Sequence, residues 1–134
     1  MKVYIAGPLC GEKERKFLEK IEKIVRNLGF STYLPHRDCG LYKDLQDVKK
    51  IAKIDIEEIY KCGIMVGILN GIYVGAGTAF ELGYAKSLGK KIICLKTDRK
   101  VKESIADISA VIAGSLEIVE SVEELKRKLK DLKT

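Results

Sequence analysis

Short, nearly unbroken apolar runs alternate along this chain with longer segments whose apolar residues recur every three or four positions. Residues 3–6 (VYIA), 31–34 (STYL), 64–69 (IMVGIL), 91–95 (KIICL) and 116–119 (LEIV) have the length and make-up of strands. The run 64–69 is apolar at every position except one glycine, as a central parallel strand covered on both faces must be. Between the strands, Phe17, Leu18, Ile21, Ile24, Val25 and Leu28 mark a first helix that Gly29 ends. Leu45, Val48, Ile51, Ala52 and Ile59 mark a second helix. A third runs from a glycine-rich loop through Glu81, Tyr84, Ala85 and Leu88 to Gly89. The last carries Val122, Leu125, Leu129 and Leu132 behind a Ser121-x-x-Glu124 cap. Residues 7–11 and 37–43 read as loops, and 96–114 shows no clean element for its apolar Ile105, Ile108, Val111 and Ile112.

Strand and helix in strict alternation predict a doubly wound α/β domain, a flavodoxin- or Rossmann-like three-layer sandwich around a five-stranded parallel sheet. The pattern spans residues 1–134 as a single domain. A strand order of 2-1-3-4-5 would bring the loops after strands 1 and 3 together at the topological switch point, where ligands bind in such sheets. Those loops are residues 7–11 and 70–78.

Composition narrows the function classes. No apolar run approaches the ~20 residues of a membrane span, and Met1-Lys2 leads straight into a strand, which predicts neither leader nor membrane contact. The formal charge of +6 suits an anionic partner, yet much of it lies in the closing helix. Six Tyr, three Phe and no Trp show no basic-aromatic interleaving, so polymeric nucleic acid is not the expected partner. The four cysteines lack CxxC spacing and accompany a single histidine, which argues against a zinc site. They read as thiols of a cytoplasmic protein, with a Cys10–Cys39 pairing left open.

Two carboxylates stand on apolar stripes. Glu81 shares its face with Tyr84, Ala85 and Leu88, near a helix start whose backbone dipoles favour an ionised carboxylate. It is a candidate nucleophile. Thr78-x-x-Glu81 is equally a capping box, in which Glu81 would serve only the helix end. Asp55 lies between Ala52 and Ile59 on the second helix, whereas Glu57 and Glu58 can point to water. An inward carboxylate costs several kcal/mol unless it is met by a hydrogen bond or a charge. By topology Asp55 belongs towards the opposite end of the sheet from the switch-point loops.

VYIAGPLCG at the N-terminus, the inward Asp before strand 3, and GAGTAFELGYAKSLGKKII together resemble the nucleoside 2-deoxyribosyltransferase superfamily over nearly the whole chain. The resemblance implies that Glu81 attacks C1′ of a 2′-deoxynucleoside, that Asp55 assists in the active site, and that Tyr4 orients Glu81. Two branches compete: transferases, which pass deoxyribose between bases, and 2′-deoxynucleoside 5′-monophosphate N-hydrolases, which give it to water. His36 and the Ser109-Ala110-Val111-Ile112 segment resemble the hydrolase branch, where the serine reaches the phosphate in a neighbouring subunit. The chain departs from that branch at Pro8 and Cys10, where the hydrolases have Ser and Arg, and at Gly75, where the hydrolases have Ser and the transferases Asp. A weaker likeness links Gly75-x-Gly77-Thr78-x-x-Glu81 to the PGGxGTxxE motif of cytokinin phosphoribohydrolases.

The expected function is hydrolysis of the N-glycosidic bond of 2′-deoxynucleoside 5′-monophosphates through a glutamyl-glycosyl intermediate. The alternatives are a deoxyribosyltransferase and a nucleotide-binding sensor without turnover. Catalysis is assigned to Glu81, Asp55 and Tyr4, and substrate binding to Gly7, Pro8, Leu9, Cys10, Gly11, His36, Gly75, Gly77, Ser109, Ala110 and Val111. No metal or organic cofactor is implied. The partners expected are a small nucleotide or nucleoside and, through the Ser109 segment, a second copy in a homodimer.

Overall fold

The structure, a computed structural model, describes residues 1–133. Lys2–Ala6 forms β1, Glu12–Asn27 α1, Ser31–Tyr33 β2 and Pro35–Asp38 the short α2. Leu45–Lys61 forms α3, Ile64–Ile68 β3, Ala76–Ser87 α4 and Lys91–Leu95 β4. A 3-10 turn at Val101–Glu103 leads to α5 (Ile105–Ile108) and α6 (Ala110–Ser115), and β5 (Glu117–Val119) and α7 (Val122–Lys133) complete the chain. The five strands are all parallel, in the order β2-β1-β3-β4-β5. The doubly wound sheet read from the sequence is the fold observed.

Strand alternation sorts the core into two layers. Val3 and Ile5 face Leu18, Ile21, Val25, Leu125 and Leu129 of α1 and α7. Tyr4 and Ala6 face the other way, with Met65, towards Ile59 of α3 and Leu82 and Ala85 of α4. All five residues of β3 are buried, as the apolar run predicts. Helix α4 comes close to the sheet because Gly67 has no side chain: a Cβ there would lie 2.8 Å from Leu82 Cδ2 and 3.3 Å from Cys94 Sγ. Gly29, at φ +99°, ends α1 in the left-handed region that glycine enters without penalty.

Several local expectations give way. Residues 37–43 are not wholly loop, because Pro35 sits at the first turn of α2, where its missing N–H costs nothing. Ala52 is exposed rather than inward. Glu58 does not point to water: its side chain is 14% exposed and pairs with Lys2 at 2.7 Å. The stretch 96–114 breaks into three one- to two-turn helices, with Ile108 the member that reaches the core. Ser121 caps α7 as expected, accepting from the Glu124 amide at 3.2 Å. All four cysteines are free thiols. Among the described residues no helix is long and apolar enough to cross a membrane.

Candidate active site

Ala6 pairs with Gly67 at the carboxyl ends of β1 and β3, which sets the loops after those strands side by side. A cleft of about 400 Å³ opens there, lined among others by Gly7, Leu9, Cys10, Asp55, Gly75, Gly77, Thr78 and Glu81. A second hollow of about 390 Å³, which includes Arg15, Gly40, Tyr42 and Ile51, shares Leu9, Cys10 and Asp55 with it. The two are lobes of one depression. A wider hollow of about 950 Å³ lies over residues 96–102. Its buried Lys96 is already held by Asp98 at 3.0 Å and the Leu69 carbonyl at 3.1 Å.

Asp55 reaches the cleft in spite of the topological argument because α3 is longer than the strands beside it. Its 17 residues span about 25 Å against about 16 Å for a five-residue strand, so the helix stands proud of the sheet. Asp55, six residues before its end, then lies about 9 Å up the helix, level with the middle of β1. Tyr4 occupies that middle.

The Tyr4 hydroxyl donates a hydrogen bond to Glu81 Oε2. Burial, with Glu81 and Asp55 nearby, pushes the Tyr4 phenol far above its usual range, so it stays protonated and acts as a donor. Glu81 is raised from 4.5 to about 7, chiefly because burial disfavours the charged carboxylate. The Tyr4 bond opposes this rise and the nearby Asp55 charge adds to it. Asp55 is also raised, again mainly by burial and slightly by Glu58, against a hydrogen bond from Tyr33. Two coupled carboxylates in one cleft, each with a weakened hold on its charge, can divide the tasks of nucleophile and acid.

The capping-box alternative for Glu81 does not fit this geometry. Helix α4 starts at Gly75, with φ −66° and ψ 154° and no side-chain cap. Thr78 is already inside the helix and 5% exposed, and the Glu81 carboxylate is turned to Tyr4. The uncapped first turn of α4 leaves backbone N–H groups at the cleft wall, where a helix start attracts anions.

The remaining candidate residues divide. Gly7, Leu9, Cys10, Gly75 and Gly77 line the cleft, while Pro8 and Gly11 do not. Gly11 caps α1, its amide bonded to Glu14 Oε1 at 2.8 Å. The His36 ring is turned from the cleft to Glu19 at 2.7 Å. Ser109 and Val111 border a separate apolar groove of about 520 Å³ beside α4, and Ala110 is outside both hollows. Ser109 holds φ +100° and accepts from the Val111 amide at 3.2 Å. Among the described residues no group of three or more His, Cys, Asp or Glu side chains is placed to hold a metal. Sequence reasoning missed Tyr33, whose hydroxyl donates to Asp55 Oδ1 at 2.8 Å. The sequence marks it only as a tyrosine in strand 2, because its register with Tyr4 is set by the folded sheet.

The sequence profile of the nucleoside 2-deoxyribosyltransferase family matches residues 3–127. The chain belongs to that family. Among solved structures it is similar to the 2-deoxyribosyltransferase of Bacillus psychrosaccharolyticus, with 26% identity, 96% of each chain covered and a TM-score of 0.80. It shares its fold with a conserved protein from Enterococcus faecalis V583, at 24% identity, 98% of each chain and a TM-score of 0.77. The same fold appears in the CMP N-glycosidase of Clostridium botulinum, at 21% identity, 96% of this chain and 98% of that one, with a TM-score of 0.66. No curated protein sequence matches it. Membership of the nucleoside 2-deoxyribosyltransferase family makes the chain an enzyme of that family.

Proposed function

We propose that this enzyme hydrolyses the N-glycosidic bond of 2′-deoxynucleoside 5′-monophosphates, with Glu81 as nucleophile. The observation that carries the reading is the buried Tyr4 hydroxyl bonded to Glu81 in a cleft that Asp55 also lines. Ionised Glu81 attacks C1′ as the C1′–N bond breaks and its electron pair leaves with the base. Asp55 gives that base a proton. Water then attacks C1′ of the glycosyl ester, Asp55 takes up its proton, and Glu81 departs as a carboxylate. Tyr4 stabilises the charged form of Glu81 at both ends of the cycle.

Recognition of a 5′-phosphate is supported by the uncapped start of α4 at Gly75 and Gly77, and by Arg15 at the edge of the adjoining lobe. Arg15 donates to the Leu9 carbonyl at 2.8 Å and so is tied to the first loop. The likeness to a CMP N-glycosidase fits a nucleotide whose base is released. A transferase is the second reading, favoured by the likeness to the Bacillus enzyme, although Gly75 departs from the transferases' Asp as well as from the hydrolases' Ser.

The working form in this proposal is a homodimer in the cytoplasm. Tyr73 and Val111, which border the Ser109 groove, are 72% and 74% exposed, and Phe80, which lines the cleft, is 67% exposed. A second copy covering that face would set Ser109 towards the neighbouring cleft. Four free thiols suit a reducing compartment.

One panel tests these readings: deoxynucleoside monophosphates, ribonucleoside monophosphates and unphosphorylated nucleosides, each with and without an acceptor base. Base release from deoxynucleotides without an acceptor is the expected result. Release only with an acceptor would make the chain a transferase, and equal kcat/KM with and without the 5′-phosphate would remove phosphate from the proposal.

A further inference from the structure

Tyr4 and Tyr33 are directly paired in the parallel register of β1 and β2, so their rings leave the sheet on one face. The rings stack, with centroids 5.3 Å apart and planes 28° from parallel. Each hydroxyl then goes to a different carboxylate, Tyr4 to Glu81 and Tyr33 to Asp55 Oδ1 at 2.8 Å. Tyr33 is 6% exposed, so little water competes for that bond.

We propose that Tyr33 is the positioning residue for Asp55, and that the stacked tyrosine pair, rather than the two helices, sets the spacing of the carboxylates. The first half rests on the reading of Asp55 as the group that serves the departing base. Glu81 and Asp55 stand on α4 and α3, two separate helices packed on the same face of the sheet. The tyrosines hang from neighbouring strands, which the backbone ladder keeps about 4.8 Å apart. A hydroxyl on Oδ1 also stops rotation of the Asp55 carboxyl, so its other oxygen is the one left for the base and its proton.

The groups that face Asp55 are Glu58 on its own helix, Glu81 on α4, Tyr4 and Tyr33 on the sheet, and the Cys39 thiol. Of these, Tyr33 opposes the upward push of burial on Asp55.

Tyr33→Phe keeps the ring and the stack and removes only the hydroxyl. Carbon-13 titration of the Asp55 carboxyl in the resting protein should show its midpoint moving up in the variant. An unchanged midpoint would overturn the proposal, whatever the enzyme's substrate. With a deoxynucleotide that is turned over, kcat should fall roughly tenfold or more, with KM little changed and the loss greatest for the poorest leaving base. The same substitution in an Asp55→Asn background should add almost nothing. An equal loss in both backgrounds would mean that Tyr33 only packs, and would also overturn the proposal. Should no nucleotide be turned over, the proposed reaction falls and the titration alone decides the role of Tyr33.

Discussion

Replacing Glu81 with Gln should kill the enzyme and, at the same time, make it harder to unfold. In the unfolded chain the Glu81 carboxyl titrates near its ordinary 4.5, and in the fold near 7. Between those values the native state holds more protons than the unfolded one, so Glu81 draws stability down as pH rises, and above about 7 the loss is complete. At about 1.4 kcal/mol per pH unit, a rise from 4.5 to about 7 corresponds to on the order of 3 kcal/mol. The cleft admits water to part of the side chain, so this is an upper figure. Gln has nearly the same shape, can still accept from Tyr4, and has no charge to desolvate. Urea unfolding of both proteins at pH 4 and pH 8 isolates the effect, because other titrating groups largely cancel in the difference. The variant should match wild type at pH 4 and exceed it at pH 8 by up to about 3 kcal/mol, or roughly 10 °C in Tm for a domain of this size. Turnover should fall by on the order of 10³-fold or more. A variant no more stable than wild type at pH 8 would refute the buried-carboxylate argument. An active Glu81→Ala variant destabilised by about 1 kcal/mol would return Glu81 to a capping role, a role that Gln could still fill.

Other substitutions test the supports. Tyr4→Phe removes the bond that holds Glu81 down, so the acid limb of the kcat/KM profile should move above the wild-type position near pH 7; a limb that stays put would detach Tyr4 from Glu81. Ser109 occupies φ +100°, ψ 134°, a conformation that costs a side-chain-bearing residue about 1–3 kcal/mol. Ser109→Gly should therefore raise Tm while Ser109→Ala does not, and equal melting of the two would deny the strain. Lys96→Met leaves two loop carbonyls and Asp98 without their cation and should cost on the order of 2–4 kcal/mol in urea unfolding, with a loss near zero counting against the clamp.

How much of this could be read from residue order varies with the range of the interaction. The sheet order was legible because five apolar runs, short loops and the rule of right-handed crossovers leave few arrangements. Tyr4, Asp55 and Glu81 came from resemblance as much as from pattern. Local spacing alone could not separate a cap from a nucleophile at Glu81, since Thr-x-x-Glu is also the i,i+3 contact of any helix interior. What the fold adds is a distant partner, Tyr4, 77 positions away, which takes the carboxylate away from the helix end. Tyr33 was missed for the same reason: its meaning depends on strand register, which periodicity does not encode. The inward position of Asp55 looked wrong in topology because counting elements ignores their lengths. Glu58, expected in water, was taken by Lys2 from the start of the chain.

Tyr4 lies wholly inside the second-innermost strand of the sheet, with none of its surface exposed. The aim of the Glu81 carboxylate, the proposed nucleophile, is therefore inherited from the part of the molecule that opens last, when the whole domain unfolds. Exposed rim positions such as Cys10, Tyr42 and Gly75 lie outside that unit and can be exchanged without loosening it. Selection acting on such a scaffold can trade one base, sugar or phosphate for another by rewriting its rim, while the bond-breaking pair travels unchanged with the fold.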